Sequence, residues 1–78
     1  MVLDKIIAIV AEHFQMKPDE LTEDTVLEEL GADDLDVADL VMEIEDAFEM
    51  DVSIEQANAI QTVGDLADLA EDALRTEE

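Results

Sequence analysis

Residues 30–45 read LGADDLDVADLVMEIE, and DAF follows at 46–48. Gly31 suits a turn, and the acids at 33 and 34 stand where a helix would begin. From there Val37, Leu40, Val41, Ile44 and Phe48 recur at three- and four-residue spacing, the stripe that one face of a helix buries. The spacing predicts a helix over about residues 34–48. Asp33 or Asp34 can cap it, since a carboxylate accepts from the unpaired N–H groups of a first turn. Further acids there suit the positive end of the helix dipole.

On the N-terminal side, Leu3, Ile6, Ile7, Val10 and Phe14 form a second stripe, a helix over about residues 2–15. Pro18 is expected to end it, because the residue before a proline disfavours helical backbone. Between the two helices lies MKPDELTEDTVLEELGA, residues 16–32. It is long for a connection, yet it carries Leu21, Val26, Leu27 and Leu30, so it is expected to pack over the core. On the C-terminal side, Ser53 with Gln56 has the capping-box spacing and opens a short third helix, with Ala57 and Ile60 facing inward. Thr62 with Asp65 repeats that spacing at the start of a last helix, whose stripe is Val63, Leu66, Ala67, Ala70 and Leu74. The tail RTEE, residues 75–78, is expected to fray. No strand alternation competes, and there is no internal repeat. The order predicts an all-α fold: a small antiparallel four-helix bundle with a long helix 1–2 loop and a short third helix, in a single domain of residues 1–78.

Composition narrows the function. A chain of 78 residues buries only about 60–65% of its unfolded surface, so a deep, dry active site does not fit inside it. There is no Cys and one His, His13, too few parts for a thiolate or His-based metal site or for a catalytic triad. Acids number 24 against Lys5, Lys17 and Arg75, a net charge of −21. That excludes ordinary nucleic-acid binding and disfavours anionic membranes; it predicts basic partners met by steered encounter. Like charge also argues against close self-association, so a monomer is expected. The start MVLDKIIAIVAEHF lacks a basic n-region and a cleavage site, and no apolar run nears the roughly 20 residues of a membrane span. A cytoplasmic protein is the expectation.

On the second helix, Asp36, Asp39, Glu43 and Asp46 fall within one arc away from the buried stripe, and Glu45 and Glu49 extend the acids on the far side. Met42 falls between these groups, with Ala38 one turn before it. An apolar side chain is therefore expected to stand exposed among carboxylates. Two readings are open: a solvated charged face with one incidental methionine, or a docking strip whose acids steer a basic partner while Met42 fills a shallow apolar dent. His13 at the end of the first helix suits the dipole when charged.

The strings LGADDLD at 30–36 and LVMEIEDAF at 40–48 resemble the acyl carrier proteins, which have LGADSLD followed by ELVMALEEEF or close variants. DVSIEQANAIQTVGDL, residues 51–66, is similar to that family's segment at the third helix and the entry to the fourth. The resemblance covers nearly the whole chain and implies a four-helix bundle with a long first loop. It also implies a role in fatty-acid, polyketide or lipid synthesis, carrying acyl groups as thioesters on a 4′-phosphopantetheine arm attached to the Ser of the motif. By position it assigns docking to Asp33, Asp36, Asp39, Met42, Glu45 and Asp46. The partners implied are basic surfaces of synthesis enzymes, acyltransferases or a phosphopantetheinyl transferase. It places an acyl chain near Leu40, Ile44, Val52, Ala57 and Ile60.

The departure falls at the attachment position, where Asp34 stands in place of the Ser. A carboxylate is a poor nucleophile toward an anionic phosphate, and the product would be an acyl phosphate that water cleaves. Ser53 is the only Ser, and Thr22, Thr25, Thr62 and Thr76 are also remote from the motif. No cofactor is therefore expected on the chain as it stands: attachment of 4′-phosphopantetheine is blocked at Asp34. Asp34 is expected to keep the helix start intact and to imitate crudely the charge of the missing phosphate. VSI at 52–54, where the family often has IP and an acid, and the small Ala38 are lesser departures.

Several readings follow: a carrier fold that docks without an arm, an ordinary carrier whose Ser was changed to Asp, or an acidic interaction or regulatory protein, such as a nucleic-acid mimic that blocks a basic protein. An EF-hand fits poorly, because counting from Asp34 puts Ala38 at a ligand position and Asp39 at the turn glycine. Paired-carboxylate catalysis by Asp33 and Asp34 lacks an environment that would set the two apart.

Overall fold

In the computed structural model, which describes residues 2–75, the four expected helices are α1 (Val2–Phe14), α2 (Asp34–Phe48), α3 (Ile54–Asn58) and α4 (Val63–Arg75). The stripes meet: Ile6 and Val10 of α1, Leu40 and Ile44 of α2, and Val63, Leu66, Ala67 and Ala70 of α4 form one buried cluster. Ala11 joins it, a small side chain that the stripe of large residues passed over. α1 packs on α2 and α4, which pack on each other, while α3 lies chiefly against α2. Full burial of each Leu or Ile contributes about 1.5–3 kcal/mol, so three short stripes suffice for a modest core.

The long connection is part of that core. Leu21 and Leu27 are buried in the cluster, and Leu30 packs against it. Its backbone is tied to the start of α4: the Leu27 N–H donates to the Gln61 carbonyl (2.9 Å), Val63 to Thr25 (3.0 Å) and Gly64 to Glu23 (2.8 Å). Val26 and Thr62 make an isolated bridge there. A Cβ at position 64 would stand 2.9 Å from the Glu23 carbonyl oxygen, so this close approach uses the absent side chain. Gly31 ends a 3₁₀ turn over Leu27–Leu30 with φ 88°, a left-handed turn that directs the chain into α2.

Helix 1 stops for a different reason from the one expected. Gln15 adopts φ 55°. The N–H groups of Gln15 and Met16 return to the carbonyls of Glu12 (3.2 Å) and Ala11 (2.9 Å). This is a Schellman ending, complete before Pro18, which instead opens a 3₁₀ turn over Pro18–Glu20. Helix 2 ends alike: Glu49 has φ 53° and the Met50 N–H donates to the Glu45 carbonyl at 3.0 Å. Met16 and Met50 then pack against the core, the apolar contact that accompanies such endings.

Three inward positions need correction. Leu74 is 46% exposed, because its stripe runs one turn past Ala70, the last buried residue of α4. Ala57 and Ile60 are only half-buried, and α3 has no fully buried residue; a five-residue helix is too short to lay a whole face on the core. Val37 and Phe48 are likewise half-buried at the two ends of the α2 stripe. Arg75 closes α4, and residues 76–78 of the tail expected to fray lie outside the described residues.

Candidate functional site

The N-terminus of α2 is built by two aspartates. The Asp33 carboxylate accepts from the Asp36 N–H at 2.9 Å, and the Asp36 carboxylate accepts from the Asp33 N–H at 3.1 Å. Of the two possible caps, Asp33 is the one used. Asp34 is the first helical residue and is exposed. It borders two open clefts. One, of about 380 Å³, is walled by Val26, Leu27, Ala32, Val37 and Ile60, with Glu28, Asp33, Gln61 and Thr62 also on its lining, so Thr62, remote from the motif in sequence, shares a cleft with Asp34. The other, of about 310 Å³, lies between Val37, Ala38, Ala57 and Ile60. Asp34, Val37 and Ile60 line both, so the clefts share a wall beneath the acid.

The residues expected to dock divide into two sets. Asp39, Met42 and Asp46 are exposed on α2, Met42 by 55%. Leu35, 75% exposed, precedes them on the same helical stripe and was not singled out in the sequence. Asp33, Asp36 and Glu45 already have structural partners. Asp33 caps, and Glu45 is half-buried with its carboxylate accepting from the Val52 N–H at 2.8 Å, which fixes the turn from α2 to α3. Asp36 is held by the cap and by His13.

That last contact joins two helices. His13 Nε2 stands 3.0 Å from Asp36 Oδ1, and its Nδ1 stands 3.5 Å from Glu43 Oε2, an ion-pair distance. The hydrogen bond with Asp36 raises the His13 pKa above its ordinary 6.5; burial opposes this, and the Glu43 carboxylate adds to it. The same bond, then the Asp33 N–H, lowers the Asp36 pKa below 3.8. Sequence reading placed His13 at a helix end but had no signal for which residues of another helix it would face.

Of the residues expected around an acyl chain, Ala57 and Ile60 line the clefts. Leu40 and Ile44 are fully buried in the core, and Val52 is half-buried beside Glu45. Val37, read only as core, lies on the walls of both clefts. Among the described residues no cluster of acids and histidine is arranged to hold a metal ion, and no helix is long and apolar enough to cross a membrane.

Known proteins share this architecture and sequence. The family model for the phosphopantetheine attachment site matches residues 4–70. The acyl carrier protein of Sulfurovum sp. (strain NBC37-1) is 46% identical over 63 residues, covering 80% of this chain and 84% of that one. That of Clostridium perfringens (strain SM101 / Type A) is 39% identical over 66 residues, covering 83% and 87%. The crystal structure of the acyl carrier protein of Thermotoga maritima superposes with a TM-score of 0.82 at 32% identity, over 95% of this chain and 87% of that one.

Proposed function

The chain belongs to the acyl carrier protein family, and on that footing we propose that it docks to carrier-dependent enzymes of fatty-acid, polyketide or lipid synthesis without bearing the family's covalent arm. The observation that carries this reading is Asp34, an exposed carboxylate at the first position of α2, where the motif LGADSLD has its Ser. The family's cofactor is 4′-phosphopantetheine, whose terminal thiol carries acyl groups as thioesters. Its attachment needs a hydroxyl oxygen to give up its proton and attack the pantetheine-side phosphorus of coenzyme A, breaking the pyrophosphate linkage so that adenosine 3′,5′-bisphosphate leaves and a stable phosphodiester forms. The Asp34 carboxylate is a weak nucleophile that a second anion repels, and an acyl phosphate formed there would hydrolyse. The residues present therefore do not fit covalent attachment. Docking asks for less: exposed Asp39, Met42 and Asp46 offer a basic partner charge and one apolar anchor.

A second reading is an ordinary carrier altered at one position. It is favoured by the two clefts, whose apolar walls at Val37, Ala57 and Ile60 a pure docking protein has no use for. It is favoured too by the cap: Asp33, not residue 34, holds the helix start, so a Ser at 34 costs the fold little.

Intact mass after incubation with coenzyme A and a broad-specificity phosphopantetheinyl transferase tests both. The chain is expected to stay unmodified while Asp34→Ser gains one arm. A gain on the unaltered chain would overturn the chemistry argued for Asp34. No gain on either would count against the carrier surface itself.

A further inference from the structure

We propose that His13 is a proton-operated clamp: its imidazolium holds both Asp36 and Glu43 of α2 against α1, and its neutral ring, with a single N–H, gives up one of the two contacts and leaves the pair a full charge more negative toward a basic partner. The proposal rests on the docking role given above to α2. Both ring nitrogens face oxygens that can only accept, Asp36 Oδ1 at 3.0 Å and Glu43 Oε2 at 3.5 Å. A neutral imidazole has one N–H donor, so whichever nitrogen kept the proton, the other would set a lone pair against a carboxylate. Only the doubly protonated ring satisfies both contacts, and on deprotonation the proton passes to water. These two acids are the charged groups that face the ring; the neighbour on α1 is the uncharged Phe14 ring, edge-on at 4.8 Å.

The consequence lies on α2. Asp36 and Glu43 are seven residues apart, two turns along one side of the helix that presents Asp39, Met42 and Asp46. With the clamp closed, two carboxylates and one imidazolium carry a single net negative charge, and both acids are turned toward α1. With it open, they carry two: the neutral ring can donate to only one of them, while the cap keeps Asp36 Oδ2 on the Asp33 N–H. A partner's Lys or Arg seeking Asp36 must displace His13, and two cations on one carboxylate repel.

The sign with pH follows from the two shifts. His13 gains affinity for its proton on folding, so its contribution to stability is fully present below pH 6.5 and is lost as pH rises through its raised value. Asp36 loses affinity, so its contribution is present above pH 3.8 and is lost as pH falls through its lowered value. The clamp is therefore closed between those limits and opens on the alkaline side, above pH 6.5.

The test measures Kd for a phosphopantetheinyl transferase against pH, at fixed ionic strength, for the chain, His13→Gln and His13→Lys. Dividing the chain's Kd by that of His13→Gln at each pH cancels the transferase's own titration. The chain is expected to bind about 2–5-fold more weakly than His13→Gln when the clamp is closed, the range of a partly exposed ion pair, and equally when it is open. His13→Lys, permanently charged, should stay weak throughout. In the free chain, NMR should show the His13 ring titrating above pH 6.5, with the Asp33 and Asp36 amides moving at the same midpoint. This readout needs no variant to fold. A flat Kd ratio with binding intact, or a His13 midpoint at or below 6.5, overturns the clamp. Binding at no pH overturns the docking reading, and the added charge of Asp36 and Glu43 toward a partner with it, even if the NMR titration behaves as expected.

Discussion

Asp33 and Asp34 carry the same carboxylate one residue apart, yet Asp33 is the one that accepts from the first turn of α2. The sequence narrowed the cap to these two, because either spacing reaches a free N–H. The choice is made by backbone: Asp33 is extended, with φ −110° and ψ −173°, while Asp34 is already helical. Asp33→Ala should therefore lower unfolding free energy by about 1 kcal/mol, within the 0.5–2 kcal/mol of lost caps. Asp34→Ala should stay within about 0.5 kcal/mol, since it gives up a favourable dipole contact but relieves repulsion among neighbouring acids. Urea denaturation of both variants at neutral pH decides it. Equal losses would mean that Asp34 shares the capping. Asp36 shows a limit of reading one residue at a time: its acidity and helical arc were legible, but the His13 that engages it comes from another helix, whose rotation and height no periodicity encodes.

At the scale of elements, the four helices were legible because burial imposes a repeat on sequence, and the stripes at 6–10, 40–44 and 63–70 met in one core. Their ends were less legible. α1 and α2 stop at Gln15 and Glu49 in left-handed backbone, a conformation usually signalled by Gly. The following Met16 and Met50 supply the apolar closure, a signal that could be sought one residue beyond a helix. The resemblance assigns Glu45 to docking, and its angle on α2 placed it in the acidic surface; that its carboxylate also accepts from the Val52 N–H, a loop contact without periodicity, was not legible. Met42, in contrast, stands exposed as the arc required. If its side chain anchors a partner, Met42→Glu should keep the far-ultraviolet helix signal and weaken transferase binding by roughly tenfold, the loss of a modest apolar anchor. Calorimetric titration reads the change. An unaltered Kd with helicity intact would remove Met42 from the interface and leave steering to Asp39 and Asp46.

At the scale of the molecule, the chain carries a net charge of −21, and the fold spans 35 × 25 × 19 Å. The cations do little to divide it. Arg75 pairs with Asp72 on its own helix at 3.3 Å, Lys17 is exposed, and Lys5 lies over the Phe48 ring at 6.0 Å. Among the described residues His13 makes the ion pairs that join two helices. At ~0.01 M salt the screening length is about 30 Å, so nearly every carboxylate feels every other; at ~0.15 M it is about 8 Å, and only neighbours interact. Folding brings these charges together, so low salt penalises the native state more than the unfolded chain. Each kcal/mol recovered by screening raises the melting temperature of a domain this size by roughly 4–8 °C. A rise of at least about 5 °C is therefore expected between those two sodium chloride concentrations, and a larger one for magnesium at equal ionic strength, because a divalent ion sits closer to paired acids. Thermal denaturation followed by circular dichroism at constant pH measures both. A flat response would mean that the unfolded chain stays as crowded with charge as the native one, and that self-repulsion does not limit this fold.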